Sequence, residues 1–458
     1  MSGAPSGERT GLLILAAGKG TRMRSQLPKV LHRAGGRSLL GHVLAAAAEA
    51  GIAPADTAVV VGYGKEAIAA ALTAAGAGAV QMVVQEPQLG TGHAVQAAQA
   101  WWQQYARVLV VHGDMPLLSA ATLTGLAAQQ QARGCAGVLA TATPSSPRAY
   151  GRIVRDPRRA EHVAAIVEER VATPEQRLIR ELNAGFYCFE TRALAEALGQ
   201  LGTDNPHKEY YLTDTVAILA GRGEAVEALA LADERECLGV NDRYELAQLD
   251  QFLRRRKADE LLRAGVSIEL PDTVVVDPEV TVGPDTTLES GVHLLGATRI
   301  GEGCRIRAHS VLENAVVADA AVIGPFARLR EGAEIGAAAH IGNFVEVKKS
   351  RIGSGSKANH LAYLGDATVG AGANIGAGTI TCNYDGVNKH RTAIGAQAFV
   401  GSNSTLVAPA EIGDGAYIAA GSVITEPVAA DALALGRARQ VEKPGWAAKR
   451  RAARKKSS

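Results

Sequence analysis

A glycine-rich segment near the start of the chain has the residue types of a phosphate-binding loop. It reads LILAAGKGTRM at residues 13–23. Small residues allow backbone N–H groups to approach phosphate oxygens, and Lys19 and Arg22 add positive charge. Met23 stands where the dinucleotide-binding fingerprint has its third glycine, so that fingerprint is not matched. The segment therefore predicts phosphate binding, with an ordinary turn as the alternative.

Two further polar residues favour a nucleotide site over an ordinary turn. Lys29 lies just after the loop, in LPKV, and is suited to neutralising a triphosphate. Asp114, in HGDMPLL at residues 112–118, directly follows an apolar run. A lone carboxylate at a strand end is either a turn former or a ligand of Mg²⁺, which prefers one or two carboxylates together with substrate phosphates. In combination these residues predict a site for nucleotide phosphates and Mg²⁺.

A second set of reactive residues lies in the back half of the chain. Residues 381–391 read TCNYDGVNKHR, and His360 precedes them in a stretch that is rich in polar residues. The other members of this set are Arg330, Lys348, Lys349, Tyr363 and Asn374. An unperturbed histidine has a pKa of ~6.5, which suits a general base at neutral pH, although a lone histidine is more often a surface residue.

A six-residue pattern surrounds this second set and predicts the structure that positions it. An aliphatic residue is followed directly by glycine at Ile300, Ile323, Ile335, Ile341, Ile352, Leu364, Val369, Ile375, Ile394, Val400 and Ile412. This period is typical of a hexapeptide-repeat parallel β-helix, in which the aliphatic residue points to the axis and glycine fits the turn. Residues 282–424 give about seven coils, with 381–391 outside the repeat. An all-β domain with coincidental glycine spacing is the less favoured alternative.

The first half of the chain alternates strand-like and helix-like segments. Strands are predicted at Leu12–Ala16, Ala58–Val61, Val80–Val84, Arg107–Val111 and Val138–Thr141, and helices at Leu39–Ala50, Lys65–Ala75 and Thr91–Tyr105. This order predicts a Rossmann-like α/β domain with a mostly parallel sheet. Ligands of such sheets bind beyond the carboxyl ends of the strands, where the glycine-rich loop and Asp114 fall.

Length and composition limit the remaining possibilities. A chain of 458 residues predicts two or three domains, which we place at 1–243, at 265–458 and, as a helical linker arm, at 244–264. A net charge of +2 gives no overall field that attracts nucleic acid or a membrane. The five cysteines are dispersed and favour neither a disulfide framework nor a zinc site.

The two ends of the chain carry few signals. No apolar run is long enough for a signal peptide or a membrane span, so we expect a soluble, cytoplasmic protein. Basic residues cluster at the end of the chain, at Lys449, Arg450, Arg451, Arg454, Lys455 and Lys456. Such a tail either contacts phosphates or is solvated and disordered, and the second interpretation is favoured. The roles of this tail and of Trp446 are left open.

Nine motifs occur in an order that is typical of a known family. They are LAAGKGTRM, LPKVLH, QLGTGHA, GDMPLL, YGRIV, IVEE, ELNAG, EYYLTD and GVND. Together they resemble the sugar-1-phosphate nucleotidylyltransferases. The CNYDG segment and the hexapeptide pattern narrow the resemblance to the bifunctional bacterial N-acetylglucosamine-1-phosphate uridylyltransferases/glucosamine-1-phosphate N-acetyltransferases. The resemblance covers the chain apart from its first ten residues and the basic tail, and it implies that the β-helix is left-handed.

The resemblance implies a site for UTP and N-acetylglucosamine-1-phosphate in the first domain. The residues implied for these substrates are Leu15, Ala16, Ala17, Gly18, Arg22, Lys29, Gln85, Gly90, Thr91, Gly113, Gly151, Glu168, Asn183 and Asn241. Among them Gly151, Glu168 and Asn183 would contact the sugar. Asp114 and Asn241 would bind Mg²⁺, with one or two ions left open. His112 departs from the aromatic residue of many relatives, and we expect its backbone to matter more than its side chain.

For the second domain the resemblance implies acetyl transfer from acetyl-CoA, with His360 as the general base. Arg330 and Lys348 would hold the phosphate of glucosamine-1-phosphate, and Tyr363 and Asn374 its sugar. Glu346 is expected to orient His360. The positions implied for acetyl-CoA are Ala377, Asn383, Tyr384, Ser402, Ala420 and Arg437. The family's site lies between subunits of a homotrimer, so a homotrimer is implied.

The predicted function is therefore two consecutive reactions. Glucosamine-1-phosphate is acetylated, and the product then receives UMP from UTP with release of pyrophosphate. The result is UDP-N-acetylglucosamine, a precursor of peptidoglycan and lipopolysaccharide. Two less favoured alternatives are a one-reaction nucleotidyltransferase whose β-helix only assembles or regulates subunits, and a non-enzymatic scaffold for oligomerisation or binding. No nucleic-acid partner is expected.

Overall fold

A computed structural model describes residues 9–144 and 150–455 of the chain. The chain divides into two compact units, Met1–Phe252 and Leu253–Ser458. Along the sequence, the last helix of the first unit continues across this boundary. No helix among the described residues has the length and apolar character needed to cross a membrane.

The first unit alternates strands and helices. Its strands are β1 (Thr10–Ala16), β2 (Arg33–Ala34), β3 (Arg37–Ser38), β4 (Thr57–Val61), β5 (Gln81–Val84), β6 (Arg107–His112), β7 (Gly137–Ala142), β8 (Arg152–Asp156), β9 (Arg159–Val167), β10 (Leu182–Glu190) and β11 (Val226–Ala230). Its helices are α1 (Leu39–Glu49), α2 (Lys65–Ala74), α3 (Thr91–Ala97), α4 (Gln99–Trp102), α5 (Ala120–Arg133), α6 (Pro174–Arg177), α7 (Thr191–Leu198), α8 (Asp214–Gly221) and α9 (Arg243–Arg263).

Nine of these strands form one mixed sheet in the order β5-β4-β1-β6-β10-β7-β11-β9-β8. Strand β1 lies parallel to both β4 and β6, and β10 runs antiparallel between β6 and β7. Alternate residues of β1 enter different hydrophobic cores, Leu12 and Ile14 on one face and Leu13 and Leu15 on the other. The predicted Rossmann-like α/β domain, covered on both faces, is confirmed.

One predicted helix of this unit is divided in two. The segment Thr91–Tyr105 was expected to form one helix, whereas α3 ends at Ala97 and α4 begins at Gln99. The indole N–H of Trp102 donates to the carbonyl oxygen of Val95 at 2.8 Å. The Trp102 side chain thus donates to a carbonyl oxygen near the end of α3 that would accept from a backbone N–H in a continuing helix.

The second unit consists of many short strands and one terminal helix. The strands are β12 (Ser267–Ile268), β13 (Val275–Val276), β14 (Thr281–Val282), β15 (Thr287–Leu288), β16 (His293–Leu295), β17 (Arg299–Ile300), β18 (Arg305–Ile306), β19 (Val311–Glu313), β20 (Val316–Val317), β21 (Val322–Ile323), β22 (Arg328–Leu329), β23 (Glu334–Ile335), β24 (His340–Asn343), β25 (Glu346–Lys348), β26 (Arg351–Ile352), β27 (Lys357–His360), β28 (Tyr363–Gly365), β29 (Ala367–Val369), β30 (Asn374–Ile375), β31 (Ile380–Cys382), β32 (Thr392–Ile394), β33 (Phe399–Val400), β34 (Thr405–Val407), β35 (Ala410–Ile412), β36 (Tyr417–Ile418), β37 (Val423–Ile424) and β38 (Leu433–Ala434). The helix is α10 (Trp446–Lys455).

These strands form three parallel sheets of ten, nine and eight strands. Consecutive strands along the chain belong to the first, the second and the third sheet in turn. That arrangement is the predicted parallel β-helix. Its aliphatic residues form one continuous buried core from Leu261 to Ile424. The pairing begins at Ser267, before the expected start at residue 282, and eight coils have strands in all three sheets. Seven of these coils lie within residues 282–424, as expected, and the eighth precedes the expected start.

The segment outside the repeat begins two residues later than expected. Thr381 and Cys382 still pair with Leu406 and Val407, so the excluded segment is 383–391. Across this segment Ala367 pairs with Thr392, a longer step along the chain than the one from Arg351 to its partner Thr368. The coil thus admits an insertion without losing its register. We call residues 383–391 the inserted loop.

Two expectations about helix ends have different outcomes. Helix α9 ends as expected before Gly265, which has φ +94°, and the N–H of Val266 donates back to Leu261 at 3.0 Å. The expectation of a disordered basic tail is wrong up to residue 455, because Trp446–Lys455 form the helix α10, which is exposed at residues 446–454. Lys456 lies outside the described residues.

Candidate active sites

The glycine-rich loop and neighbouring segments enclose one cavity of about 390 Å³ in the first unit. Nine of the residues predicted to bind UTP or Mg²⁺ line it. They are Leu15, Ala16, Ala17, Gly18, Lys29, Gln85, Gly90, Thr91 and Asp114. Residues from the ends of β1 and β6 therefore meet beyond the carboxyl edge of the sheet, as the fold requires of a ligand site.

Two glycines shape the loop that follows β1. A Cβ atom at Gly18 would meet no atom within 4 Å, so this position faces open space. Gly20 has φ +58°, and a Cβ atom there would lie 2.7 Å from the Cβ of Lys29. Glycine at residue 20 thus permits both the left-handed backbone and the close approach of the loop to Lys29.

Lys29 and Asp114 form an ion pair in the cavity. Their side chains are 16% and 21% exposed, so the pair is partly shielded from water. The N–H of Val240 donates to the backbone oxygen of Asp114 at 3.1 Å, which places the chain around Asn241 beside this carboxylate. The two predicted metal ligands are thereby brought to neighbouring segments.

The side chain of Asn241 has partners at both ends of its amide. The guanidinium of Arg22 donates to Asn241 Oδ1 at 2.8 Å. The carboxylate of Glu245 accepts from the backbone N–H of Asn241 at 2.8 Å and from Asn241 Nδ2 at 3.1 Å. Sequence reasoning missed Glu245, although its place in the first turn of α9, shortly after Asn241, was a usable signal.

The oxygen atoms of Asp114 and Asn241 fit a magnesium ion. Mg²⁺ takes oxygen ligands, and it commonly uses only one or two protein groups together with substrate phosphates. No cluster of three or more His, Cys, Asp or Glu ligands occurs in residues 9–144 and 150–455, so a closed protein cage is absent there. Both oxygens accept from cationic side chains, Lys29 and Arg22, so each is already the partner of a positive charge.

The three residues predicted to contact the sugar also lie together. The N–H of Asn183 donates to the carbonyl of Gly151 at 2.9 Å. A Cβ atom at Gly151 would lie 3.7 Å from both Asn183 Cβ and Glu168 Oε1, and 2.7 Å from the side chain of Ile166. Glycine at residue 151 therefore leaves open the space between these polar groups.

Burial raises the pKa values of two residues in and beside this cluster, Glu168 and Tyr187. It raises the pKa of Glu168, against the smaller opposing effect of a hydrogen bond from the Thr213 hydroxyl at 3.2 Å. Burial also raises the pKa of Tyr187, whose hydroxyl accepts from Asn183 Nδ2 at 2.7 Å. The result is a partly dehydrated carboxylate and amide, a combination able to recognise hydroxyl and acetamido groups.

Six predicted residues of the first unit lie outside the wall of the cavity. They are Arg22, Gly113, Gly151, Glu168, Asn183 and Asn241. Gly113 supports the wall from behind, because its N–H donates to Leu15 at 2.9 Å and extends the pairing of β6 with β1.

The cavity also contains residues that sequence reasoning did not choose. Gln88 lines it and donates from Nε2 to the carbonyl of Ala17 at 2.7 Å, which ties two walls together. Glu209 also lines the cavity. Both belong to motifs quoted above, QLGTGHA and EYYLTD, which was the available signal. His112 lines the cavity as well, and burial lowers its pKa, so its ring is neutral at pH 7.

In the second unit the predicted phosphate and sugar ligands lie on successive strands. Arg330 directly follows β22, Lys348 ends β25 and Tyr363 begins β28, and these three strands are neighbours in the nine-stranded sheet. The guanidinium of Arg330 bonds to Glu346 at 2.8 Å. Asn374 lies instead on β30 of the ten-stranded sheet.

His360 ends β27 and is paired in register with Asn343 of β24. Its Nδ1 lies 2.9 Å from Asn343 Oδ1. Glu346, the residue expected to orient His360, is bonded to Arg330 instead. That expectation was wrong because Glu346 and His360 belong to different sheets of the coil. With the Asn343 oxygen as acceptor, Nδ1 carries the proton and Nε2 presents a lone pair, as a general base requires.

Three of the residues predicted to contact acetyl-CoA occupy the same position as His360 on successive coils. Ala358, Ile375, Val400 and Ile418 pair in register on β27, β30, β33 and β36. Two residues beyond them stand His360, Ala377, Ser402 and Ala420. We call these four residues the His360 column. Arg437 is separate, on an exposed segment after β38.

The inserted loop carries Asn383 and Tyr384, the remaining two residues predicted to contact acetyl-CoA. Asn383 Nδ2 donates to Asp366 at 2.5 Å, and Tyr384 pairs with Lys389 in an antiparallel bridge. In the described part of the chain no hydrogen bond joins His360 to Asn383 or Tyr384. The two residues therefore lie on a hairpin that is fixed to the coil through Asp366.

Comparison with known proteins agrees with both halves of this description. Residues 12–266 match the family described as MobA-like NTP transferase domain. Residues 279–314 and 391–426 match bacterial transferase hexapeptide repeats. The first unit thus combines a nucleotidyltransferase fold with a cavity beside a glycine-rich loop, and the second combines a hexapeptide β-helix with the His360 column. Together they define a bifunctional transferase.

Curated relatives specify the family. The chain is 48% identical to the bifunctional protein GlmU of Koribacter versatilis over 97% of its own length and 98% of the relative's. It is 49% identical to that of Solibacter usitatus, over 96% and 97%, and 51% identical to that of Anaeromyxobacter sp. strain Fw109-5, over 96% and 93%. The chain belongs to the bifunctional GlmU family. The predicted activity is thereby confirmed: it is a bifunctional acetyltransferase and nucleotidyltransferase of UDP-N-acetylglucosamine synthesis.

Proposed function

We propose that each half performs its reaction at the residues described above, with Mg²⁺ in the first unit and acetyl-CoA as co-substrate in the second. The observation that carries this proposal is the assembly of nine predicted nucleotide and metal residues around a single cavity. The domain limits 1–243, 244–264 and 265–458 are part of the same proposal.

In the first unit the phosphate of N-acetylglucosamine-1-phosphate attacks the α-phosphorus of UTP, and pyrophosphate leaves. Backbone N–H groups of Leu15–Gly18 bind the nucleotide, and Lys29 and Arg22 neutralise the phosphates of two anionic substrates. Mg²⁺, held by Asp114 and Asn241, would supply further charge neutralisation at the reacting phosphates. No covalent nucleophile on the protein is required, because the work is positioning and charge stabilisation.

The sugar is bound by the group around Gly151. Asn183 and Glu168 offer amide and carboxylate groups to the acetamido and hydroxyl groups, and Gly151 leaves the space in which the ring sits. Since Glu168 is partly buried, a hydrogen bond from a sugar hydroxyl to its carboxylate is strengthened by the low local dielectric.

In the second unit His360 Nε2 takes a proton from the amino group of glucosamine-1-phosphate as nitrogen attacks the thioester carbonyl of acetyl-CoA. The C–N bond forms, the C–S bond breaks, and His360 returns the proton to the leaving sulfur, so CoA leaves as the thiol. Arg330 and Lys348 neutralise the sugar phosphate, with Tyr363 and Asn374 on the sugar. The small residues of the His360 column leave room for the extended chain of acetyl-CoA, with Asn383, Tyr384 and Arg437 as further contacts.

A homotrimer is part of the proposal, because in one chain the inserted loop has no hydrogen bond to His360 and a second chain would complete the site. Sedimentation equilibrium tests this assembly. The cytoplasmic location stays a prediction, which cell fractionation tests.

The residue assignment is tested by two variants and two assays. Free CoA thiol, released from acetyl-CoA and glucosamine-1-phosphate, reports acetyl transfer, and pyrophosphate reports uridylyl transfer. We expect His360→Ala to abolish the first and spare the second, and Asp114→Ala to do the reverse. His309→Ala, at an exposed histidine of the same β-helix, is the matched control. If either variant lost both activities while folded, the two-site assignment would be wrong.

A further inference from the structure

Glu245 holds Asn241 through two hydrogen bonds that end on one oxygen atom. Glu245 Oε2 accepts from the backbone N–H of Asn241 at 2.8 Å and from its Nδ2 at 3.1 Å. Glu245 itself is fixed by the start of α9, because its N–H donates to Asp242 Oδ1 at 2.9 Å. A helix start therefore places a carboxylate against the donor end of the Asn241 amide.

The two partners of this amide differ in what they can exchange. A carboxylate only accepts hydrogen bonds, and a guanidinium only donates them. Glu245 therefore selects the NH₂ end of Asn241, and Arg22, which donates to Oδ1 at 2.8 Å, selects the oxygen. Exchanging the two ends of the amide would place two acceptors together at Glu245 and two donors together at Arg22. Only one orientation satisfies both neighbours.

That orientation matters for a metal ligand. Mg²⁺ binds the amide oxygen, whereas the NH₂ group has no lone pair available for it. We infer that Glu245 is a positioning residue, which presents Asn241 Oδ1 to Mg²⁺ and prevents the amide from turning. This inference rests on the proposed metal role of Asp114 and Asn241. Partners of this kind, behind a direct ligand, commonly change metal affinity about 10–100-fold.

Glu245→Gln is the sharpest test because it keeps the shape but gives the side chain a donor end. The neighbouring change Asp242→Asn is the matched control. It also removes one negative charge beside Asn241, but asparagine caps a helix as well as aspartate does. A loss caused by orientation is thereby separated from a loss caused by charge alone.

The measurement is calorimetric titration of Mn²⁺ into the full-length protein saturated with UDP-N-acetylglucosamine. We expect Glu245→Gln to raise the Kd for Mn²⁺ about tenfold, Asp242→Asn to change it less than twofold, and neither to change the metal-free affinity for UDP-N-acetylglucosamine. Unchanged Mn²⁺ binding in Glu245→Gln, or equal losses in both variants, would overturn the inference. Asn241→Ala and Asp114→Asn test the metal site itself: unchanged Mn²⁺ binding in both would refute the proposed site independently of Glu245.

Discussion

Lys29 and Asp114 are paired with each other in the cavity of the first unit, although the proposed mechanism gives them opposite tasks. The lysine is a cation for nucleotide phosphates, and the aspartate is a ligand for Mg²⁺. Each therefore also sets the position and the electrostatic environment of the other. The pair is shielded enough, at 16% and 21% exposure, for this coupling to be measurable.

Lys29→Met and Asp114→Asn should each lower kcat/KM for uridylyl transfer by about 10²–10³, the usual loss for a group that stabilises developing charge. Because each substitution also leaves the other charge without its partner, the double variant should lose less than the product of the single losses. A double-mutant cycle on pyrophosphate release gives the coupling. Strict multiplicativity would contradict a functional pairing.

Glu168 should make sugar binding sensitive to acid. Its pKa is raised by burial, so its carboxylate takes up a proton at a higher pH than an ordinary glutamate with a pKa of 4.5. The ionised form is the better acceptor for sugar hydroxyls, so the KM for N-acetylglucosamine-1-phosphate should rise as pH falls through this raised pKa. Glu168→Gln should raise KM about tenfold at pH 8, the loss of one charged hydrogen bond, and remove the acid dependence. A pH-independent KM in the unmodified enzyme would contradict this.

The raised pKa of Glu168 affects the stability of the fold in the opposite direction from sugar binding. A carboxyl whose folded pKa is raised stabilises the fold while it is protonated, and that contribution is lost as pH rises through the folded pKa. Glu168→Gln is therefore expected to leave stability at neutral pH unchanged or increased. Its Tm separates a binding defect from a folding defect.

The sequence predicted most of what depends on a repeating or local pattern. The aliphatic–glycine period predicts the coil because each such residue must face one axis, and Ile375 and Val400 do pair in register. The period could not show where the inserted loop begins, because Thr381 and Cys382 keep pairing without being part of an aliphatic–glycine pair. Local motifs likewise predicted many of the residues that line the cavity of the first unit, since these residues lie within short segments.

Hydrogen-bond partners across strands were much less predictable. Asn343 is one full coil away from His360 along the chain, and the choice between it and Glu346 depends on which sheet of the coil each residue enters. Both are polar residues at similar sequence separation, so composition gave no preference. Glu245 was missed for a related reason: its role depends on which end of the Asn241 amide it faces.

Asn343 should control the proton state of His360. Its oxygen lies 2.9 Å from His360 Nδ1, which leaves Nε2 for the proposed role as base. Asn343→Ala should lower kcat for acetyl transfer about tenfold with little change in the KM for acetyl-CoA. Asn343→Asp should keep the acceptor and move the acidic limb of the kcat profile to higher pH, because a carboxylate beside an imidazole favours its protonated form. Profiles of CoA release against pH test both, and superimposable profiles for all three proteins would argue against the contact.

The inserted loop should depend on His390. Asp385 accepts hydrogen bonds from the backbone N–H of Asn388 at 2.6 Å, from His390 Nε2 at 2.8 Å and from the N–H of Val387 at 2.7 Å, and these bonds lower the pKa of Asp385 to about 2. The N–H of His390 also donates to the carbonyl of Asn383 at 2.9 Å, so His390 binds the first arm of the hairpin at two points. A carboxylate whose pKa is lowered in the fold keeps its stabilising effect until the pH falls toward that pKa, so Asp385 supports the loop across the neutral range.

His390→Ala should therefore raise the KM for acetyl-CoA several-fold, the usual effect of one lost hydrogen bond, with a smaller change in kcat. His390→Gln, which keeps a side-chain donor, should restore part of the affinity, and uridylyl transfer should be unaffected in both variants. Equal KM values for the alanine variant and the unmodified enzyme would show that the loop holds its shape without His390.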